Sequence, residues 1–384
     1  MRKINRVGLG IATARDVPLE LKRVEFPLVD MAPFLRDRGD PAALRACREL
    51  TAQFVAHDCG AVRDPRVNEH ARDDVLDMVR RYFEQDDDVL VRDVRTGVDR
   101  AIGVNLSGQE EPRRWAEVLA SYPAARRPYT AYLNERWAAN AQARFHWAAA
   151  LPEELRKMTA ARRAQILGDQ LVPDGFPNWM RVMNASAVQQ HRTAITVAEM
   201  LEVGLELERG SLSNGLRAGN SLFAPTACEL RGLELGDVIA PYHFDLGRLT
   251  VHFVASFAAL ICWTRERMPF QPVVPGSGFF IQAGMELEVL TGGHIRTGFH
   301  EVVILEQTLK QIAAAIGAGA STTRVGTPLF AQGGDDVLHP LGRFRTNATR
   351  AVYGRLLGVE KYGRWPTAAE WQRDELRRTN IVPA

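Results

Sequence analysis

Only four cysteines occur in the 384 residues, Cys47, Cys59, Cys228 and Cys262, and no two of them form a CxxC pair. That spacing excludes a zinc ribbon and a disulfide framework. Cys47, on an apolar helical face, reads as a small core residue. No apolar stretch approaches the roughly 18 residues that a membrane span needs. The opening segment MRKINRVGLGIATARDV has basic residues but lacks the continuous apolar run of a secretory leader. The formal net charge is +2 and the basic residues are scattered, so nothing pulls the chain toward nucleic acid or a membrane surface. Internal repeats and low-complexity segments are missing as well. The expectation is a soluble protein in a reducing, cytoplasmic setting, with no nucleic-acid or membrane partner and its oligomeric state open.

What is present divides the chain in two. The composition, 46% hydrophobic and 24% charged, is that of an ordinary globular protein. The length suits one elaborated β-barrel with helical additions, or two fused units. The first half reads as mostly helical. A short strand around Phe26 to Val29 precedes Asp40-Pro41, a helix-capping residue with proline in the first turn. Leu44, Cys47, Phe54 and Val55 then recur at helical spacing until Gly60. Further helices are expected in DDVLDMVRRYFEQ, in PEELRKMTAARRAQIL and in PNWMRVMNASAVQQHRTAITVAEMLEV, with an irregular loop at RAIGVNLSGQEEP. After Gly210 the pattern changes to short β-rich runs punctuated by Gly and Pro, which argues for a sandwich or barrel. A helical insertion carries Leu309, Ile312, Ala313 and Ile316 on one face, TRVGTPLFAQ reads as another strand, and Thr367 with Glu370 predicts a capping box for a final helix.

One β-rich run, PYHFDLGRLTVHF, holds a histidine and an aspartate two positions apart, His243 and Asp245. In a strand, residues i and i+2 face the same side. A carboxylate facing a barrel interior is costly unless it is paired or binds a metal. The plain alternative is a hydrogen-bonded His–Asp pair in a β core. A divalent metal would need a third ligand, and His294 and His300 are both available. GFHEVVIL puts His300 at the head of an apolar strand, whereas TGGHIRTG puts His294 in a turn. Two histidines and one carboxylate on one face of the metal make the triad of non-haem iron(II) oxygenases, with coordination positions left open.

Three pieces in order carry a resemblance. HFDLGRLTVH, then VVPGSGFFIQAGMELEVLTGGHIRTGFHEV, then TRVGTPLF make the stretch from about 212 to 345 similar to the catalytic half of the 2-oxoglutarate- and iron(II)-dependent oxygenases, in the branch related to isopenicillin N synthase. The N-terminal FPLVDMAPFL and AHDCGAV are similar to the opening of that branch, while the region from about 120 to 205 is left uncovered. The resemblance implies an α+β chain with a mainly β catalytic core, a double-stranded β-helix (jelly-roll) barrel flanked by N-terminal and C-terminal helices. Its parts would be a mostly helical region 1–205, a core 206–350 with a helical insertion 306–318, and a helical tail 351–384. It also implies iron(II) held by His243, Asp245 and His300, with 2-oxoglutarate and O2 as co-substrates. Arg324 would clasp the far carboxylate of 2-oxoglutarate, a task for which a guanidinium is better shaped than an ammonium. The expected reaction is hydroxylation, or a related oxidation, of a small molecule, with no catalytic side chain beyond the metal centre.

The pattern departs from the family in places. Gly326 stands where the family has a Ser whose hydroxyl also binds the carboxylate. Thr327 would replace that Ser only if Gly326 makes a bulge. Asn220 matches the first residue of the family's Asn-x-Tyr pair, but Leu222 stands in place of the Tyr. His252 reads equally as a pocket group and as a core histidine, and Arg100 and Arg113 are candidates to hold an acidic substrate. Asp245 occupies the position that halogenating relatives leave small, which favours hydroxylation. Two alternatives stay open: an iron oxidase of the isopenicillin N synthase type that does not use 2-oxoglutarate, and a non-catalytic metal-binding barrel.

Overall fold

The computed structural model describes residues 21–68, 70–95, 103–107, 141–167, 170–219, 221–264, 268–276 and 278–378. Asp40 accepts a hydrogen bond from the Ala42 amide and opens the helix Pro41–His57, which ends where Asp58 turns left-handed at φ 57°. The helix buries Ala43, Ala46, Cys47, Leu50 and Phe54 along one face, as their spacing predicts. Helices also form at Ala71–Phe83 and, over 26 residues, at Trp179–Gly204. The single helix expected over PEELRKMTAARRAQIL is two, Pro152–Leu155 and Ala160–Leu167. Arg163 donates to the carbonyls of Leu155 and Met158 and so satisfies the end of the first one.

The strands form two sheets. The smaller runs in the order β1 (Lys22–Glu25), β11 (Pro269–Val273), β10 (Leu260–Trp263), β13 (His300–Val303), β8 (Val238–His243). The larger runs β14 (Thr323–Gly326), β7 (Thr226–Glu229), β5 (Ala143–Ala148), β6 (Leu222–Phe223), β15 (Leu329–Ala331), β9 (Leu249–Phe253), β12 (Phe279–Ala283), β3 (Cys59–Arg63), β2 (Val29–Asp30), with β4 (Gly103–Asn105) beside β5. Strands from before residue 205 therefore pair with strands from after it in both sheets.

Two readings of the β-rich half change. MELEVL, which falls among the β-rich runs after Gly210, is a helix at Met285–Leu290; short apolar runs do not distinguish strand from helix by periodicity. TRVGTPLFAQ is two strands, because Pro328 cannot donate to a ladder and the chain breaks there. The insertion helix forms at Glu306–Gly317, and Thr367 and Glu370 cap the final helix Ala368–Arg378 reciprocally.

The main core lies between the long helix Trp179–Gly204 and the outer face of the larger sheet. Its aromatic centre joins Trp179 to Phe145 and Tyr82, with ring centroids 4.6 and 4.9 Å apart. All four cysteines are free and buried. Among the described residues no helix is long and apolar enough to cross a membrane.

Candidate metal centre

His243 is the last residue of β8 and His300 the first of β13, and the antiparallel register sets them directly opposite each other. Their ring centroids are 4.1 Å apart. Asp245 arrives differently from the same-face reading: β8 ends at His243, and Asp245 stands in the turn that follows. Backbone bonds hold that turn, the Met285 amide donating to the Asp245 carbonyl at 2.9 Å. Gly284 permits this approach, since a Cβ there would lie 2.0 Å from the Gly247 carbonyl oxygen and 3.1 Å from that of Asp245. The Thr250 hydroxyl donates to the Asp245 carboxylate. One ligand atom from each of His243, Asp245 and His300 lies within 4.8 Å of the others. His294 is elsewhere, stacked on Phe344 at 5.3 Å.

Each histidine is oriented by the carbonyl two residues before it. His243 Nδ1 is 2.7 Å from the Pro241 oxygen and His300 Nδ1 is 2.9 Å from the Gly298 oxygen. A carbonyl only accepts, so each Nδ1 carries its proton and each Nε2 keeps a lone pair for a metal. Burial, and then the neighbouring His300, pull the pKa of His243 down to about 3. For Asp245 burial opposes ionisation, but His300, His243 and the Thr250 hydroxyl outweigh it and hold the carboxyl below its usual range. At neutral pH the site thus offers a neutral His243 and an ionised carboxylate, the state that metal binding requires. The nitrogen and oxygen donors suit a first-row divalent ion such as iron(II).

The triad opens into a cavity of about 270 Å³ between the two sheets. Arg324, on β14, lines the same cavity and is 7% exposed. Its Nε donates to the Phe257 carbonyl at 3.2 Å, and no carboxylate pairs with it among the described residues. Burial lowers its pKa to about 10, so it remains a cation at neutral pH. Such a charge is costly unless something neutralises it. His252 also lines the cavity. Burial, and then His300, bring its pKa down to about 4, and Arg324 acts on it as well, so its imidazole is within the field of both the triad and the arginine.

Thr327 requires a correction. The β14–β7 ladder is regular through Gly326, which pairs with Thr226, so no bulge turns Thr327 inward. Gly326 lines the cavity, whereas the Thr327 hydroxyl is buried without a partner outside it. Asn220, Arg100 and Arg113 lie outside the described residues. The structure adds wall residues that sequence reasoning missed: Gln142, Arg144, Thr226 and Phe330. Arg144 pairs in register with Thr226, and its guanidinium carbon is 5.7 Å from the centroid of the Phe330 ring. A signal existed, because Gln142, Arg144 and His146 alternate with Phe145 and Trp147 at strand period.

No family profile matches the sequence. The 2-oxoglutarate-dependent dioxygenase phqC of Penicillium fellutanum is 25% identical over 48% of this chain and 53% of its own length. The chain thus spans about half the length of the curated relative it matches. Among solved structures, a 2OG-Fe(II) oxygenase family protein of Caulobacter crescentus superposes with a TM-score of 0.66 at 18% identity, covering 93% of this chain and 98% of that one. A full-length Neurospora crassa protein in complex with alpha-KG gives 0.66 at 14% identity, covering 91% and 95%. The complex of that protein with alpha-KG and thymine gives 0.65 at 13% identity, covering 96% and 100%. The two facing sheets, with the helices that back them, have the fold of the 2-oxoglutarate–iron(II) oxygenases.

Proposed function

We propose that this protein is a non-haem iron(II) oxygenase that couples oxidative decarboxylation of 2-oxoglutarate to hydroxylation, or a related oxidation, of a small molecule. The observation that carries the reading is one cavity holding both a two-histidine, one-carboxylate cluster and a buried guanidinium that no described carboxylate neutralises. His243, Asp245 and His300 would hold iron(II), their geometry fixed by the Pro241 and Gly298 carbonyls and the Thr250 hydroxyl. Arg324 would bind the carboxylate of 2-oxoglutarate remote from the metal, a charge-assisted contact suited to its fork. The bound iron supplies the activation of O2. The apolar walls, Phe280 and Val302 among them, exclude water from the reacting groups. The two sheets are read as the halves of a double-stranded β-helix. The Neurospora crassa complexes with alpha-KG, one of them also holding thymine, support a 2-oxo acid and a small-molecule substrate.

Succinate formation from 2-oxoglutarate in the presence of iron(II) and ascorbate is the expected result. The absence of both turnover and 2-oxoglutarate binding to metal-loaded protein would refute the assignment. Asp245→Ala is expected to lose tightly held iron in metal analysis, by about 10-fold or more in affinity, and to lose succinate formation with it. An iron oxidase that does not use 2-oxoglutarate would leave Arg324 without a ligand. Zinc held tightly with no open coordination position would instead favour a non-catalytic barrel.

A further inference from the structure

At Gly326 a side chain would meet a tight neighbour rather than a strained backbone. That residue's backbone is ordinary strand, in register with Thr226, and it is not among the glycines with positive φ. A Cβ built on it would lie 3.1 Å from the Thr226 hydroxyl and 3.7 Å from Nη1 of Arg324. Directly opposed residues of a ladder project to the same face, as do Arg324 and Gly326 two positions apart. All three line the cavity. The Thr226 hydroxyl and the Arg324 guanidinium thus both border the space that a side chain at 326 would enter. Thr226 is 3% exposed.

We propose that Thr226, from the neighbouring strand, is the second anchor for the remote carboxylate of the 2-oxo acid, and that Gly326 is the gap through which it reaches. The inference rests on the 2-oxoglutarate reading above. Arg324 supplies the charge, and the Thr226 hydroxyl donates a hydrogen bond that fixes where the carboxylate sits. The pair thus sets the length of acid accepted. Thr226 positions the co-substrate and takes no part in bond making.

The test titrates 2-oxoglutarate, and separately oxalate, into the manganese(II)-loaded full chain by calorimetry. Oxalate chelates a metal but has no remote carboxylate. Thr226→Val is expected to weaken 2-oxoglutarate binding about 10-fold and to leave oxalate unchanged. Thr226→Ser keeps the affinity. The double variant Thr226→Ala with Gly326→Ser moves the hydroxyl across the ladder and is expected to recover most of it. A Thr226→Val protein that binds 2-oxoglutarate like the wild type, or that loses oxalate in equal measure, overturns the proposal. If the valine variant does not fold, the double variant decides instead: no recovery relative to Thr226→Ala overturns the proposal. Wild-type protein that binds oxalate but not 2-oxoglutarate overturns the functional reading itself, and this inference with it.

Discussion

Arg248 and Arg324 are both buried, and their surroundings differ. Arg248 is wholly enclosed, with Nη2 3.2 Å from Glu286 and hydrogen-bonded to Asp336, while Nη1 donates to the Leu212 carbonyl. Gln372 of the final helix and the Gly333 amide donate to the same Glu286. One guanidinium thus ties together segments far apart in the chain. Arg324 has a single carbonyl, that of Phe257. Where a buried charge is structural, the fold neutralises it with its own groups. Where the charge faces the cavity, neutralisation is left to a ligand. Among the acids Glu286 and Asp245 show the same division: an arginine meets the first, and the second is met by two imidazoles whose lone pairs suit a cation.

The comparison can be broken at several points. Arg248→Met leaves Glu286 and Asp336 without their shared cation and should lower the unfolding free energy by about 3–5 kcal/mol in urea denaturation, with 2-oxoglutarate affinity of the folded fraction unchanged. A mild loss would mean that the cluster is not what holds these segments together. Arg324→Met should do the reverse, raising the Kd for 2-oxoglutarate by about 100-fold while the melting temperature stays level or rises. A destabilised protein with normal affinity would sink the division between the two arginines.

The smallest effect concerns pH. Burial, opposed by Arg248 and reinforced by Asp336, raises the pKa of Glu286 to about 7 from 4.5. The folded state then holds this proton more tightly than the unfolded chain does. The resulting stability is complete below about pH 4.5 and is lost as pH rises through about 7. Relative to Glu286→Gln, the wild type should therefore lose on the order of 2 kcal/mol between pH 5 and 8. Parallel urea profiles for the two proteins across that range would show that Glu286 stays ionised throughout.

What the sequence reveals follows how local each signal is. The caps at Asp40-Pro41 and at Thr367 with Glu370 are decided within a few residues, and they form as read. The spacing of His243, Asp245 and His300 carries the cluster, although the carboxylate comes from a turn rather than from the strand face. Thr226 is invisible as a neighbour of Arg324 in the sequence, because only the β14–β7 register brings residues so far apart together. Arg144 shows in the alternation of its own segment, but the strand is short and the helical pattern that follows hides it. Thr327 stays outside the cavity because Pro328 ends the strand before the residue can be turned inward.

Among the described residues β8, which carries His243, ends the smaller sheet, and the Ala141 amide donates to its Ile239 carbonyl from outside. His300 sits on the strand inside it. An ion gripped by both would rivet the outermost strand to its neighbour, joining parts of the chain that meet only once the sheet is complete. It would therefore act as a lock on the finished fold rather than as a seed for it, and the amides of 238–243 would exchange with deuterium more slowly when the ion is present.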